Sequence, residues 1–266
     1  MTQDTFLITL PPQQLRSLQG WDVTPAHLAY RMGRGPRLLR AGGPVALRGG
    51  MMVVDDQDFS GMGPVLPFCQ DVVQECQARG FSGVILDFDR RLPPQEQMAA
   101  RLDEALARRG LAFFVPEPYA PVVSRGKVLI SSALSGGSLT QRLEEAGATH
   151  GRDRIVLAVE VSCEDFSLPS PTGCGTPLSR EQLRALMDRL RPSVFFSQEL
   201  CARYFTYMDR SGGGHFVLFD DENTLIRKVE VARKAGVSAF LLPWAEVRNC
   251  AQRLGIRKVQ TPAQRG

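Results

Sequence analysis

The sequence predicts an α/β fold with a mainly parallel sheet, closed as a TIM-type barrel or left open. From about residue 50 onward, short apolar segments alternate with amphipathic segments of helical period. Strands separated by helices of roughly 10–15 residues pair in parallel through right-handed crossovers. A length of 266 residues suits one α/β barrel or two small domains. Several apolar segments also end in carboxylates, which is typical of strands at the catalytic face of a barrel.

Residues 1–50 show this alternation least clearly. Phe6–Leu10 and Leu38–Leu47 are strand candidates, and Thr24-Pro25-Ala26-His27 is typical of a helix start with proline at its first position. Gly- and Arg-rich turns occupy much of the remainder. If the fold is a barrel, its first two βα units must therefore be compressed into this span or partly missing.

From residue 51 onward, predicted strands and predicted helices alternate along much of the chain. The predicted strands are Met51–Asp56, Val84–Asp89, Leu111–Val115, Lys127–Ser132, Arg154–Val161 and Val237–Leu242. The predicted helices lie around Phe68–Cys76, after Pro93, after the capping-box pattern Ser138-Leu139-Thr140-Gln141, and around Thr224–Ala235.

Residues 164–216 interrupt the alternation because they are rich in Pro, Gly, Ser and aromatic residues. We predict an insertion of short strands and loops there, with one helix near Arg180–Leu190. The chain is thus divided into an N-terminal segment (1–50), a parallel α/β barrel (51–163 and 217–250), the insertion (164–216) and a C-terminal tail (251–266).

Composition excludes several classes of function. The net charge of +4 is modest, and basic residues are mixed with acidic ones, so we predict no nucleic-acid partner. No apolar run approaches a membrane span, and the N-terminus lacks a signal-peptide pattern. The expected location is therefore cytoplasmic, with association to a spore or cell wall as an alternative.

The cysteine pattern predicts neither a metal nor a cofactor. The six cysteines show no CxxC motif and no metal-ligand spacing, and we interpret them as buried hydrophobic residues in a reducing compartment. A Cys163–Cys174 disulfide is the alternative for an exported protein. The run Ser135–Ser138 before a helix also allows an anion site, although a turn is the simpler interpretation.

The segment Phe81–Asp89 carries the strongest functional signal. Side chains alternate in a strand, so Ile85, Asp87 and Asp89 share one face. An apolar strand with two acids at its carboxyl end is how a parallel barrel presents catalytic groups. The simpler interpretation is that both acids are merely exposed at the start of a loop.

Other strand ends add polar and aromatic residues to the same predicted rim. These candidates for substrate binding are Asp55, Glu117, Tyr119, Glu160 and Trp244. Carboxylates bind sugar hydroxyls or transfer protons to a glycosidic oxygen, and an indole packs on a pyranose ring. The alternative is that Trp244 fills the core and the acids form ion pairs.

Three segments of the chain resemble glycoside hydrolase family 18, the chitinase-like barrels, in its bacterial spore-cortex peptidoglycan branch. Phe81–Asp89 is similar to the signature Asp-Gly-x-Asp-x-Asp-x-Glu on the family's fourth strand, and Arg154–Pro169 is similar to its seventh strand and following loop. The segment from Arg203 to Trp244 resembles its aromatic hairpin, last helix and eighth-strand tryptophan. The match covers about residues 50–247. It implies a (β/α)8 barrel with a small α+β insertion before the last strand, and an N-acetylglucosamine-containing glycan as ligand.

Several positions depart from the family pattern. Asp89 stands at the position of the Glu that donates the proton, while Asp87 matches the Asp that orients the substrate's acetamido group. Ser82 and Ile85 replace the two earlier Asp residues, and the sixth strand lacks the family's Tyr and Asp. A shorter acid misplaces the proton, and a shift near 1 Å can cost on the order of a hundredfold in rate.

Two hypotheses follow. In the first, the chain is a degenerate family 18 barrel that binds a glycan or a protein partner through its cleft with little or no turnover. In the second, it is an active glycosidase on peptidoglycan or chitin-type oligosaccharides, with Asp89, or else Glu117 or Glu160, as proton donor. With only Trp21 and Trp244 as indoles, the sequence argues against processive hydrolysis of a long polysaccharide.

Overall fold

The computed structural model describes residues 4–41, 46–170 and 173–259, in which fourteen strands, six α-helices and two 3₁₀ helices follow one another along the chain. The strands are β1 (Thr5–Leu10), β2 (Thr24–Met32), β3 (Leu38–Arg40), β4 (Met51–Asp55), β5 (Gly83–Asp87), β6 (Ala112–Pro116), β7 (Lys127–Ser131), β8 (Ile155–Ala158), β9 (Cys163–Leu168), β10 (Thr176–Pro177), β11 (Phe195–Ser197), β12 (Ala202–Met208), β13 (Gly214–Phe219) and β14 (Ala239–Pro243). The α-helices are α1 (Val65–Arg79), α2 (Pro93–Ala107), α3 (Leu139–His150), α4 (Arg180–Leu190), α5 (Glu222–Lys234) and α6 (Trp244–Val247), and 3₁₀ helices lie at Pro12–Leu18 and Glu117–Val122. None of these helices combines the length and the apolarity needed to cross a membrane.

Within the described residues, eight parallel strands close into a barrel in the order β1-β14-β8-β7-β6-β5-β4-β2, and β1 pairs with β2 to complete the ring. The prediction of a (β/α)8 barrel is confirmed. In chain order, β5 is its fourth strand, β7 its sixth and β8 its seventh. The predicted strands differ from the observed ones mainly at their ends; β8, for example, ends at Ala158 rather than at Val161.

Alternation of side chains divides the hydrophobic residues between the inside and the outside of the barrel. Each barrel strand contributes to an interior cluster of Leu7, Ala26, Met51, Val53, Ile85, Phe114, Leu129, Val156 and Ala158, with Ala239 and Leu241 against it. The residues between them on each strand face outward and pack under the helices, in two larger clusters. Ile85 and Asp87 are two residues apart on β5, so the acid continues the interior face at the top of the strand.

Gly83, at the start of β5, is required by close packing between strands. A Cβ atom at this position would lie 2.2 Å from the carbonyl oxygen of Ala112 and 2.6 Å from Cε of Met51. Any larger residue would push β5 away from its neighbours, and would displace the acids at the other end of the strand.

The N-terminal units are compressed, as predicted for a barrel. A 3₁₀ helix connects β1 to β2, and the short strand β3, antiparallel to β2, lies between β2 and β4 in the chain. Residues 42–45 of the predicted Leu38–Leu47 strand lie outside the described residues, as do residues 260–266 of the predicted C-terminal tail.

The predicted helix start at Thr24-Pro25-Ala26-His27 is wrong, because this segment begins β2. Ala26 pairs with Thr9 on one side and with Met51 on the other, so barrel closure depends on its extended conformation. Its side chain is fully buried in the barrel interior. Tertiary pairing thus overrides the local helix signal.

A second, antiparallel sheet is inserted between β8 and α5, with the order β10-β9-β13-β12-β11 among the described residues. Helix α4 covers one face of this sheet, where Leu186 packs with Phe205, Val217 and Phe219. The hairpin of β12 and β13 corresponds to the aromatic hairpin noted in the sequence. The expectation of a small α+β insertion before the last strand is therefore confirmed.

Trp244 belongs to the core and not to the cleft, so its interpretation as a sugar platform is corrected. It begins α6 directly after β14, is only 4% exposed and packs in the outer cluster. Its ring meets Trp21 edge-on at a centroid distance of 5.7 Å. The turn into α6 directs the indole outward, away from the barrel interior.

Replacing Trp244 by Ala is expected to lower the free energy of unfolding by about 3–5 kcal/mol, because it leaves a cavity among packed residues. Trp244→Phe should cost much less, since Nε1 of this indole has no hydrogen-bond partner among the described residues. Urea denaturation of both variants measures this difference. A Trp244→Ala variant of wild-type stability would contradict the core assignment.

Candidate functional site

A cleft of about 760 Å³ opens at the carboxyl ends of the barrel strands. Its apolar floor includes Val53, Ile85, Leu129, Ala158 and Leu241, and the acidic residues along it are Asp87, Asp89, Glu117, Glu160 and Glu246. The floor is therefore the upper layer of the barrel interior, and the acids stand where the strands end. This volume is in the range, roughly 300–1,000 Å³, of sites that bind small molecules or short oligomers.

The fourth barrel strand supplies two of these acids. Asp87 is the last residue of β5, and Asp89 lies two residues beyond it at the start of a loop. Both line the cleft and both are exposed to it. Asp55 ends the neighbouring strand β4 directly opposite Asp87 in the parallel register, and is half-buried.

The environment of Asp87 favours its protonated form. Although its side chain is open to the cleft, the barrel wall encloses it on the other sides, and this loss of solvation raises its pKa to about 6. The negative charges of Asp89, Asp55 and Glu160 contribute in the same direction. Desolvation also raises the pKa of Asp55, which the Gln57 N–H and Arg31 partly oppose.

Glu160 enters the cleft from the end of the seventh barrel strand, and buried polar groups hold its main chain. Its N–H donates to Oγ of Ser132 at 3.0 Å. Lys228 donates from Nζ to the carbonyl oxygen of Glu160 at 3.4 Å and to Asp220 at 2.6 Å. Asp220 in turn accepts the N–H of Ser162 at 2.8 Å, so the segment after β8 is fixed on both sides of Glu160.

Lys228 was missed as a functional candidate, although the sequence contains a signal for it. It lies on the same face of α5 as Leu225 and Ala232, which are three and four residues away. A lysine on an apolar face is rarely buried without a partner. Here it is paired with the fully buried carboxylate of Asp220.

Two further predicted ligand residues have structural partners. Glu117 lines the cleft, but it is ion-paired with Arg142 and lies 3.3 Å from Nε2 of His150. Tyr119 is only 1% exposed, and its hydroxyl donates to the carbonyl oxygen of Arg90. The expectation that Tyr119 touches a ligand is therefore corrected: it supports the loop that carries Asp89.

The remaining cleft acids differ in whether an ion pair neutralises them. Glu246 is ion-paired with Arg180 at the start of α4, a contact that joins the insertion to the cleft rim. Asp87, Asp89 and Glu160 have no ion pair among the described residues, so they are the acids open to a ligand. No group of three or more His, Cys, Asp or Glu residues in the described ranges is arranged to hold a metal ion.

Known proteins similar to this chain are found by comparing structures and not by comparing sequences. No family model and no curated protein matches the sequence. The spore cortex-lytic enzyme SleL from Bacillus megaterium QM B1551 superposes with a TM-score of 0.62 at 12% identity, covering 90% of this chain and 70% of SleL. A chitinase from Chromobacterium violaceum ATCC 12472 gives 0.64 at 15% identity, covering 92% of this chain and 98% of the chitinase.

A mutant class V chitinase from Nicotiana tobaccum, in complex with NAG4, is also similar. Its TM-score is 0.63 at 12% identity, and the match covers 95% of this chain and 99% of the chitinase. Identities this low establish the fold alone. The chain thus has the barrel architecture of chitinases and spore cortex-lytic enzymes.

Proposed function

We propose that this chain is a glycoside-hydrolase-like barrel that binds an N-acetylglucosamine-containing glycan in its cleft, with little or no turnover. The observation that carries the proposal is the position of Asp87 and Asp89. They lie at the end of the fourth barrel strand and line a cleft of oligosaccharide size. The structural likeness to chitinases, one of them in complex with NAG4, supports the choice of ligand class.

The open carboxylates supply the binding chemistry. Asp87, Asp89 and Glu160 can accept hydrogen bonds from sugar hydroxyls and from an acetamido N–H. The apolar floor beneath them suits the carbon face of a sugar ring. No indole lines this cleft, so affinity should come from hydrogen bonds and shape rather than from aromatic stacking.

The proposal of weak turnover rests on what surrounds the acids. Asp89 is one methylene shorter than the glutamate that the family resemblance places there, so its carboxyl is drawn back from the bond to be protonated. Ile85, at a position where the family has Asp, is only 1% exposed and packs in the barrel interior. Ser131 lines the cleft at the end of the sixth barrel strand. The family pattern has a tyrosine in this region, and this chain has none there.

One observation favours the second candidate, an active glycosidase. General acid catalysis needs a carboxyl that keeps its proton near neutral pH, and the raised pKa of Asp87, about 6, provides one in the cleft. In this candidate, Asp89 or Glu160 would share the acid–base role. Measured turnover decides between the two candidates.

Isothermal titration calorimetry with the N-acetylglucosamine tetramer tests the proposed function. Wild-type protein is expected to bind the tetramer, and chromatography of the same mixture should recover it intact. Absence of any heat of binding, with no cleavage, would refute the glycan assignment. Rapid cleavage would instead establish the second candidate.

Substitution of Asp89 by Asn is expected to leave the rate of tetramer hydrolysis unchanged, because the wild-type rate is already near background. Release of reducing ends measures this rate, with Asp188→Asn on the exposed face of α4 as the matched control. A clear wild-type rate that disappears in Asp89→Asn but persists in the control would overturn the proposal of weak turnover.

Replacing Asp87 by Asn is expected to stabilise the protein at about pH 7 but not below about pH 4. The pKa of Asp87 is about 6 in the folded protein and 3.8 for an ordinary aspartate, so the folded state holds the proton more tightly. The stability linked to this proton is fully present below about pH 3.8 and is lost as the pH rises through about 6.

The asparagine side chain stays neutral at every pH in this range. The variant should therefore not lose this stability as the pH rises. Urea denaturation of both proteins at the two pH values measures the difference. A variant less stable than wild type at about pH 7 would show that the Asp87 carboxylate is not held in an unfavourable environment.

A further inference from the structure

A buried carboxylate, Asp56, lies directly behind the loop that carries Asp89. It follows β4, is 1% exposed, and does not line the cleft. Both of its oxygens are used within the protein. Its contacts run almost entirely to the segment after β5, from Asp89 to Gln95.

Three hydrogen bonds and one ion pair join the carboxylate of Asp56 to that segment. Oδ1 accepts the N–H of Asp89 at 3.1 Å. Oδ2 accepts the N–H of Arg90 at 3.3 Å and Nε2 of Gln95 at 2.6 Å. Nε of Arg90 lies 3.5 Å from the same oxygen and completes the ion pair.

Further hydrogen bonds hold Arg90, the residue that follows Asp89. Its Nη2 donates to the carbonyl oxygens of Asp56 at 3.0 Å and Phe59 at 2.6 Å. Its own carbonyl oxygen accepts the hydroxyl of Tyr119. The main chain that positions Asp89 is thus fixed by buried groups, although the carboxyl itself is exposed to the cleft.

We infer that Asp56 is a positioning residue that holds the Asp89 carboxyl at the cleft for a bound glycan. The inference rests on the proposed function for its ligand, and on the hydrogen bonds above for its geometry. A carboxylate is needed at position 56 because every partner is a donor. In Asp56→Asn, one oxygen becomes an NH₂ group that faces a donor, so the loop loses its contacts on that side.

Asp103 provides a matched control at the opposite end of the barrel. It is also buried, 3% exposed, and its carboxylate also fixes a loop. It accepts the N–H groups of Ser124 at 2.7 Å, Arg125 at 3.1 Å and Gly126 at 2.7 Å. This loop precedes β7, so it lies at the amino ends of the strands, away from the cleft.

The test compares wild type, Asp56→Asn and Asp103→Asn by calorimetry with the N-acetylglucosamine tetramer and by hydrogen exchange of backbone amides. We expect Asp56→Asn to weaken binding about tenfold, the loss of roughly one charge-assisted hydrogen bond. The amides of Asp89 and Arg90 should exchange about tenfold faster in this variant. Asp103→Asn should bind as wild type does and should affect only the amides of its own loop.

A milder variant covers the case in which Asp56→Asn does not fold. Tyr119→Phe removes the hydroxyl that binds Arg90 and leaves the buried ring in place. It should weaken tetramer binding and amide protection in the same direction, by a smaller factor. A variant with faster amide exchange at Asp89 and wild-type affinity would overturn the inference.

The failure of the proposed function is distinguishable from the failure of this inference. If wild type does not bind the tetramer, the proposed function fails, and the hydrogen-exchange comparison then decides whether Asp56 fixes the loop of Asp89. Faster exchange at the Asp89 and Arg90 amides in Asp56→Asn, with no change there in Asp103→Asn, supports the positioning role. Exchange at these amides that is as slow in Asp56→Asn as in wild type would overturn it.

Discussion

The in-register parallel pairing of β4 with β5 is the constraint on which the candidate site depends. This register places Val53 opposite Ile85 and Asp55 opposite Asp87. Because the side chains of a strand alternate, the layer that fills the barrel with aliphatic groups is followed, two residues later, by a layer of carboxylates. A slip of one residue would bury the acids under the helices and expose the core.

The same constraint produces the electrostatics of the cleft. Carboxylates at neighbouring strand ends repel one another, and the apolar barrel beneath them removes solvent from one side. The protein keeps this arrangement in place by fixing main-chain segments with buried polar groups. Asp56 holds the loop after β5, and Lys228 with Asp220 holds the segment around Glu160. The acids themselves remain free to meet a ligand.

Much of the barrel could be predicted from local sequence signals. The strands from β4 onward are apolar runs with clear stops, and the helices after them have apolar faces, so their order and pairing follow from general rules. The first two units could not be predicted in detail, because β2 contains Pro25 and owes its extended conformation to its neighbours on both sides. A local sequence pattern does not show that neighbouring strands hold a segment extended.

The position of the candidate site could be predicted from the sequence, but the contacts of its residues could not. Periodicity places Asp87 at a strand end, but only the folded structure shows that Glu117 is neutralised by Arg142 and that Trp244 points away from the cleft. Tyr119 was expected at the ligand and is found beneath the loop of Asp89. Residues distant in sequence decide each of these cases, so spacing alone cannot reveal them.

An NMR titration with the N-acetylglucosamine tetramer, observing the side-chain carboxyl carbons, tests the central claim most directly. The account predicts that the carboxyl signals of Asp87, Asp89 and Glu160 shift on binding, while the paired carboxylate of Asp220 does not, and that the tetramer stays intact in the sample. Unchanged cleft signals at saturating tetramer would contradict it.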